Sequence, residues 1–138
     1  MSNDILEAEV LAAADALVAA FAEGRLDDYF GAFAPDASFV FHTTPGRIES
    51  TGAYRRLWDS WVQQDGFRVE SCLSTDRRVQ LLGDTAVFTH QVETCTAIGD
   101  GGGTVRETLR ERETIVFDRR TGDGRWLAVH EHLSPSAG

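Results

Sequence analysis

Arg125-Trp126-Leu127-Ala128-Val129-His130-Glu131-His132-Leu133-Ser134 reads as a β-strand. Strict alternation would send Trp126, Ala128, His130 and His132 to one face and Leu127, Val129, Glu131 and Leu133 to the other. Apolar residues on both faces mark a strand inside a sheet rather than at its edge. Imidazoles in such a place need hydrogen-bond partners.

The partners are sought in the strand before it, residues 104–118, across the turn Thr121-Gly122-Asp123-Gly124. A register that sets Phe117 opposite Trp126 also sets Glu113 opposite His130 and Glu111 opposite His132. On the reverse face Arg112 then meets Glu131. Slipping by one residue would oppose Glu111 and Glu131, a like-charge pair, and would turn the whole face over. One strand earlier, Ala86, Phe88, His90 and Val92 form the more apolar parity. Pairing across the glycine loop 99–103 brings His90 beside Glu111. The turn Gly83-Asp84 joins strands over 67–82 and 85–98, and a two-residue turn there opposes Cys72 and Cys95. These are expected to be close, reduced thiols. The first of these strands is long enough to carry a bulge.

Upstream the periodicity changes. Ile5, Leu6, Val10, Leu11, Leu17, Val18 and Phe21 recur at helical spacing over 4–23, with Gly24 as the stop. Leu26, Tyr29, Phe30 and Phe33 mark a short second helix ended by Pro35. Ser38-Phe39-Val40-Phe41-His42 is a short strand. Ser50 or Thr51 caps a third helix, whose apolar face holds Tyr54, Leu57, Trp58, Trp61 and Val62. Helices first and an antiparallel meander after them give an α+β layout, helices on one face of a curved sheet, as one domain over 1–138.

Composition narrows the function. The net charge is −9, which argues against a nucleic-acid backbone as partner, and the all-arginine positive charge is read as compositional bias rather than chemistry. No apolar run reaches membrane length, and the N-terminus lacks the marks of a secretory signal, so a cytoplasmic protein is expected. No GxSxG, P-loop or GxGxxG occurs, and neither cysteine stands at zinc-site spacing.

The order of elements, the segments Leu26-Asp27-Asp28-Tyr29-Phe30 through Asp36-Ala37-Ser38-Phe39-Val40, and the ending from Gly124 to Ser134 resemble the NTF2-like superfamily. The SnoaL-like branch and the association domain of calmodulin-dependent kinase II are the nearest likenesses. The tail, a tryptophan after the turn and then V-H-x-H-x-S, carries most of the specificity. The resemblance implies a cone: a curved antiparallel sheet wrapped around helices, with a pocket at the wide end. Relatives include isomerases, cyclases, dehydratases and non-catalytic oligomerisation modules, and they commonly pair through the sheet. Steroid isomerases of this superfamily carry a catalytic aspartate on the first strand. The corresponding stretch here is Val40-Phe41-His42, without a carboxylate, and His42 stands where a base would.

The expected site is therefore an acid–histidine face. His130, His132, Glu113 and Glu111 are the candidate catalytic residues. A carboxylate beside an imidazole orients its tautomer and tunes its proton affinity, which suits acid–base work on a small carbonyl compound. His42, Trp58, His90, Phe117 and Trp126 are the candidate ligand-binding residues. No cofactor and no metal are expected, since the histidine and glutamate spacing is generic for a metal site. The expected partners are a small organic ligand and a second copy of the chain, with no nucleic acid and no membrane. A cofactor-free isomerase, cyclase or dehydratase stands beside a non-catalytic binding or oligomerisation module as the alternative.

Overall fold

The computed structural model describes residues 3–99, 102–120 and 122–136. Helix α1 spans Asn3–Glu23 and α2 spans Leu26–Gly31. Strand β1 covers Phe33–Phe41 and helix α3 covers Thr51–Asp65. Four strands follow: β2 Arg68–Leu82, β3 Thr85–Gly99, β4 Thr104–Asp118 and β5 Leu127–Pro135. They form one sheet in the order β1-β5-β4-β3-β2. The β2–β3, β3–β4 and β4–β5 joints are antiparallel, and β1 lies parallel to β5. The helices cover one face of this curved, mostly antiparallel sheet, the expected α+β cone. Among the described residues no helix is long and apolar enough to cross a membrane.

The helices begin and end where side-chain chemistry dictates. Ser50 caps α3 by accepting a hydrogen bond from the Ala53 amide at 3.1 Å. Gly66 ends it in the left-handed conformation, φ 63°. A β-carbon at Gly66 would stand 1.9 Å from the Gly99 carbonyl oxygen, so close approach of two backbones also requires glycine. Helix α1 buries Val10, Ala14, Leu17 and Ala20 and packs chiefly on β2. The small alanines let helix and sheet approach closely. Tyr29, Phe30, Phe39, Tyr54 and Trp58 interlock beside it, with ring centroids 4.6–6.1 Å apart. The sheet contributes Ala86, Phe88, Ile115, Phe117 and Ala128, each about fully buried.

Several expectations give way. Helix α2 ends at Gly31, well before Pro35, and β1 starts at Phe33. Pro35 sits in β1 where the register against β5 shifts, a place that needs no amide donor. Opposite Cys95 stands Ser71, and Cys72 faces Thr94. The predicted register holds near the turn, where Leu82 faces Thr85, but β2 is irregular between Thr75 and Arg78 and again between Val69 and Ser71. Each irregularity slips the pairing. Both thiols are free. Across the glycine loop His90 faces Glu113 rather than Glu111.

The decisive correction lies between β4 and β5. Phe117 pairs with Ala128, and its neighbour Val116 pairs with His130. Val129 is thus an extra residue, a bulge that reverses the parity of everything after it. Thr114 faces His132, Glu113 faces Leu133 and Ile115 faces Glu131. Glu111 and Glu113 therefore share a sheet face with Glu131, and His130 and His132 lie on the opposite face. The acid–histidine face anticipated from strict alternation does not form. Arg112 meets Ser134 instead of Glu131.

Candidate functional site

The inner face of the sheet and the three helices enclose a cavity of about 340 Å³. Its helix-side wall is aromatic: Phe21, Tyr29, Tyr54, Trp58 and Trp61. Its sheet-side wall carries three buried carboxyl groups, Glu111, Glu113 and Glu131. The sequence produces this wall simply. Glu111 and Glu113 are two apart on β4, so both point inward, and the Val129 bulge adds Glu131 from β5.

The three acids differ in their partners. Glu111 Oε2 lies 2.5 Å from His42 Nε2, which reaches in from the end of β1. Glu113 Oε1 lies 2.6 Å from His90 Nε2, and His90 Nδ1 lies 2.5 Å from Ser74 Oγ. Where Glu113 is the carboxylate it accepts from Nε2–H, and Nδ1 of a neutral imidazole then accepts from the Ser74 hydroxyl. Among the described residues Glu131 has no histidine or arginine partner, and its Oε2 is buried without a hydrogen bond, while the neighbouring Glu113 and Glu111 bear on its proton affinity.

These surroundings set the protonation states. Burial first, and then the charges of Glu113 and Glu111, hold the Glu131 carboxyl well above its ordinary value of 4.5. The Glu131 carboxyl therefore keeps its proton to higher pH than a free glutamate does, and in that protonated form it is a hydrogen-bond donor. Burial also raises Glu111, against the opposing hydrogen bond from His42. The Tyr29 and Tyr54 hydroxyls lie 2.9 Å apart, and burial holds both phenols well above their ordinary value of 10. Cys72 lines the same cavity, and burial pushes its thiol up to about 11. It is a passive thiol at neutral pH.

Of the residues expected at the site, Glu111, Glu113 and Trp58 line the cavity, while His42 and His90 support it by bonding the two glutamates. Phe117 and Trp126 are core residues. Phe117 lies along β4 past Glu113, and Arg119 stacks over the Trp126 ring at 4.8 Å. His130 and His132 are on the outer face. His130 Nδ1 lies 2.8 Å from Ser38 Oγ, and burial, aided by Arg47 and His132, lowers its pKa. His132 is exposed. Sequence reasoning missed Glu131, Tyr29 and Tyr54. The two tyrosines read as apolar-face residues of their helices, and nothing in the local sequence of β5 announces the bulge. Among the described residues no group of three or more acidic, histidine or cysteine side chains is arranged to hold a metal ion.

Comparison with known proteins agrees with this architecture. The SnoaL-like domain family matches residues 10–138. No curated protein matches the chain. Among solved structures, an NTF2-like protein of unknown function in nutrient uptake from Rhodospirillum rubrum is similar at 23% identity, with 92% of this chain and 98% of that one covered and a TM-score of 0.75. The CaMKII hub of S. rosetta is similar at 23% identity, covering 93% and 95%, with a TM-score of 0.69. A candidate dehydratase of the NTF2-like family from Streptomyces avermitilis is similar at 23% identity, covering 99% and 100%, with a TM-score of 0.72. At these identities the likeness is one of fold. With the family match over nearly its whole length, the chain belongs to the SnoaL-like domain family.

Proposed function

We propose that this protein is a cofactor-free acid–base enzyme acting on a small carbonyl compound, of the isomerase or dehydratase type. The observation that carries the reading is the pair Glu113–Glu131: two carboxyl side chains lining one aromatic cavity, one whose proton is held on by burial and one held by an imidazole. Such a pair offers a proton donor and a proton acceptor side by side. In the proposed reaction Glu113 takes a proton from the carbon next to the carbonyl, and Glu131 or the Tyr29–Tyr54 hydroxyl pair donates to the carbonyl oxygen. Returning the proton to a different carbon gives isomerisation. Donation to a departing hydroxyl gives dehydration. His90 and Ser74 are positioning residues that act through Glu113.

The test is exchange of α-protons for deuterium in heavy water, followed by NMR on a panel of small ketones, neutral, amine-bearing and carboxylate-bearing. Exchange above the buffer rate is expected, with a loss of about a hundredfold or more in Glu113→Gln. A panel that exchanges no faster than buffer, with the protein folded, would sink the reading.

A second statement concerns assembly. The helices cover only the inner face of the sheet. The outer face holds a shallow depression of about 370 Å³ bordered by Arg78, Gln91, Arg112, Thr114 and His132. We take this face to pair with a second copy of the chain. The two free thiols support a reducing, cytoplasmic setting.

A further inference from the structure

The cavity is one-sided in charge. Asp65, Glu107, Glu111, Glu113 and Glu131 all line it. No arginine does among the described residues, and the chain has no lysine. The two imidazoles that touch these acids serve Glu111 and Glu113 singly. Glu131, 2% exposed, faces the cavity with an oxygen that no donor reaches. A buried acceptor of this kind can take a hydrogen bond from a donor on a ligand.

The opposite wall bears on what that donor is attached to. Trp58, Trp61 and Phe67 form a cluster with centroids 5.1, 5.6 and 6.1 Å apart, and all three line the cavity. Aromatic faces attract an organic cation through their quadrupoles and bury its carbon skeleton. They offer nothing to a bare metal ion, and the acids are not arranged to hold one. A carboxylate or phosphate ligand would meet several like charges and no compensating cation.

We infer that the cavity selects a small organic ammonium ion, its charged nitrogen against Glu131 and Glu113 and its carbon skeleton against the Trp58–Trp61–Phe67 wall. This rests on the reading of the cavity as a small-molecule site and adds the charge of the ligand. It makes the substrate class an amine-bearing carbonyl compound. The nitrogen supplies the missing donor to Glu131 Oε2 and offsets the negative charge of the Glu113–Glu131 pair. Recognition is thereby selective against the acids and neutral alcohols of the same shape.

The experiment uses three probes of matched shape: phenethylammonium, 2-phenylethanol and 3-phenylpropanoate. Binding to the whole chain is measured by titration calorimetry at neutral pH. The ammonium is expected to bind at least about tenfold more tightly than the alcohol, and the carboxylate most weakly of the three. In Glu113→Gln, which takes away the carboxylate of the pair, the ammonium should lose that advantage while the alcohol keeps its affinity, with folding checked by circular dichroism. Should the variant misfold, the wild-type ranking decides by itself. Equal binding of ammonium and alcohol, or tighter binding of the carboxylate, overturns the inference and leaves the cavity reading standing. Failure of all three probes overturns the inference, and the deuterium-exchange test then judges the cavity reading separately.

Discussion

Glu131 is buried among aromatic rings and other carboxyl groups, with no cation beside it. In the native state it keeps its proton over a range where the unfolded chain, at about 4.5, has lost it. The stability tied to this proton is complete below about pH 4.5 and is lost as pH rises through the raised native value, at up to about 1.4 kcal/mol per pH unit. Glu111 is shifted in the same direction, with burial as its leading cause. Glu131→Gln keeps the shape and removes the titrating proton. Its stability relative to wild type, from urea unfolding, is expected to increase as pH rises above the unfolded value of about 4.5. A difference that stays flat over that range would mean that Glu131 is already ionised in the native state. His132→Gln, by contrast, should leave α-proton exchange unchanged, because His132 faces away from the cavity. The residues of the site were legible as types: Glu111, Glu113, His42 and His90 were singled out by their acid and imidazole groups. Their grouping was not, because it depends on which face each side chain takes.

Those faces are decided at the level of the strand. The limits of α1 and α3, the lengths of β2 to β4 and the α+β order follow from hydrophobic period and from glycine stops, so they could be read directly, whereas the end of α2 and the start of β1 could not. The Val129 bulge could not, because a bulge is one residue in a run of good strand formers. Without it Glu131 would point outward and His130 would enter the cavity. Deleting Val129 is therefore expected to cost more than about 3 kcal/mol in urea unfolding, since it would expel one residue set and bury another. Val129→Ala keeps the count of residues and should cost only about 1 kcal/mol. Similar costs for the two changes would show that Val129 acts through its side chain alone. At the end of α3, Gly66→Ala is expected to destabilise by more than the ~1 kcal/mol of an ordinary left-handed glycine, because its β-carbon meets the Gly99 carbonyl.

At the scale of the whole molecule, the sheet has one face under helices and one face without cover. Pairing through the outer face predicts a particle of about twice the 15.2 kDa chain mass. Light scattering at tens of micromolar protein should give that mass, and Arg112→Glu, at the centre of the outer face, should lower it; a monomer mass for the wild type would refute the pairing. Inside, the Tyr29–Tyr54 contact has a practical corollary. They are the chain's two tyrosines, both buried, with their hydroxyls bonded to each other. No phenol is left at the surface to ionise first. In an alkaline titration the tyrosinate absorbance should therefore stay silent past the ordinary phenol range. It should then appear in a single step together with loss of the circular dichroism signal, which makes the molecule its own optical reporter of unfolding.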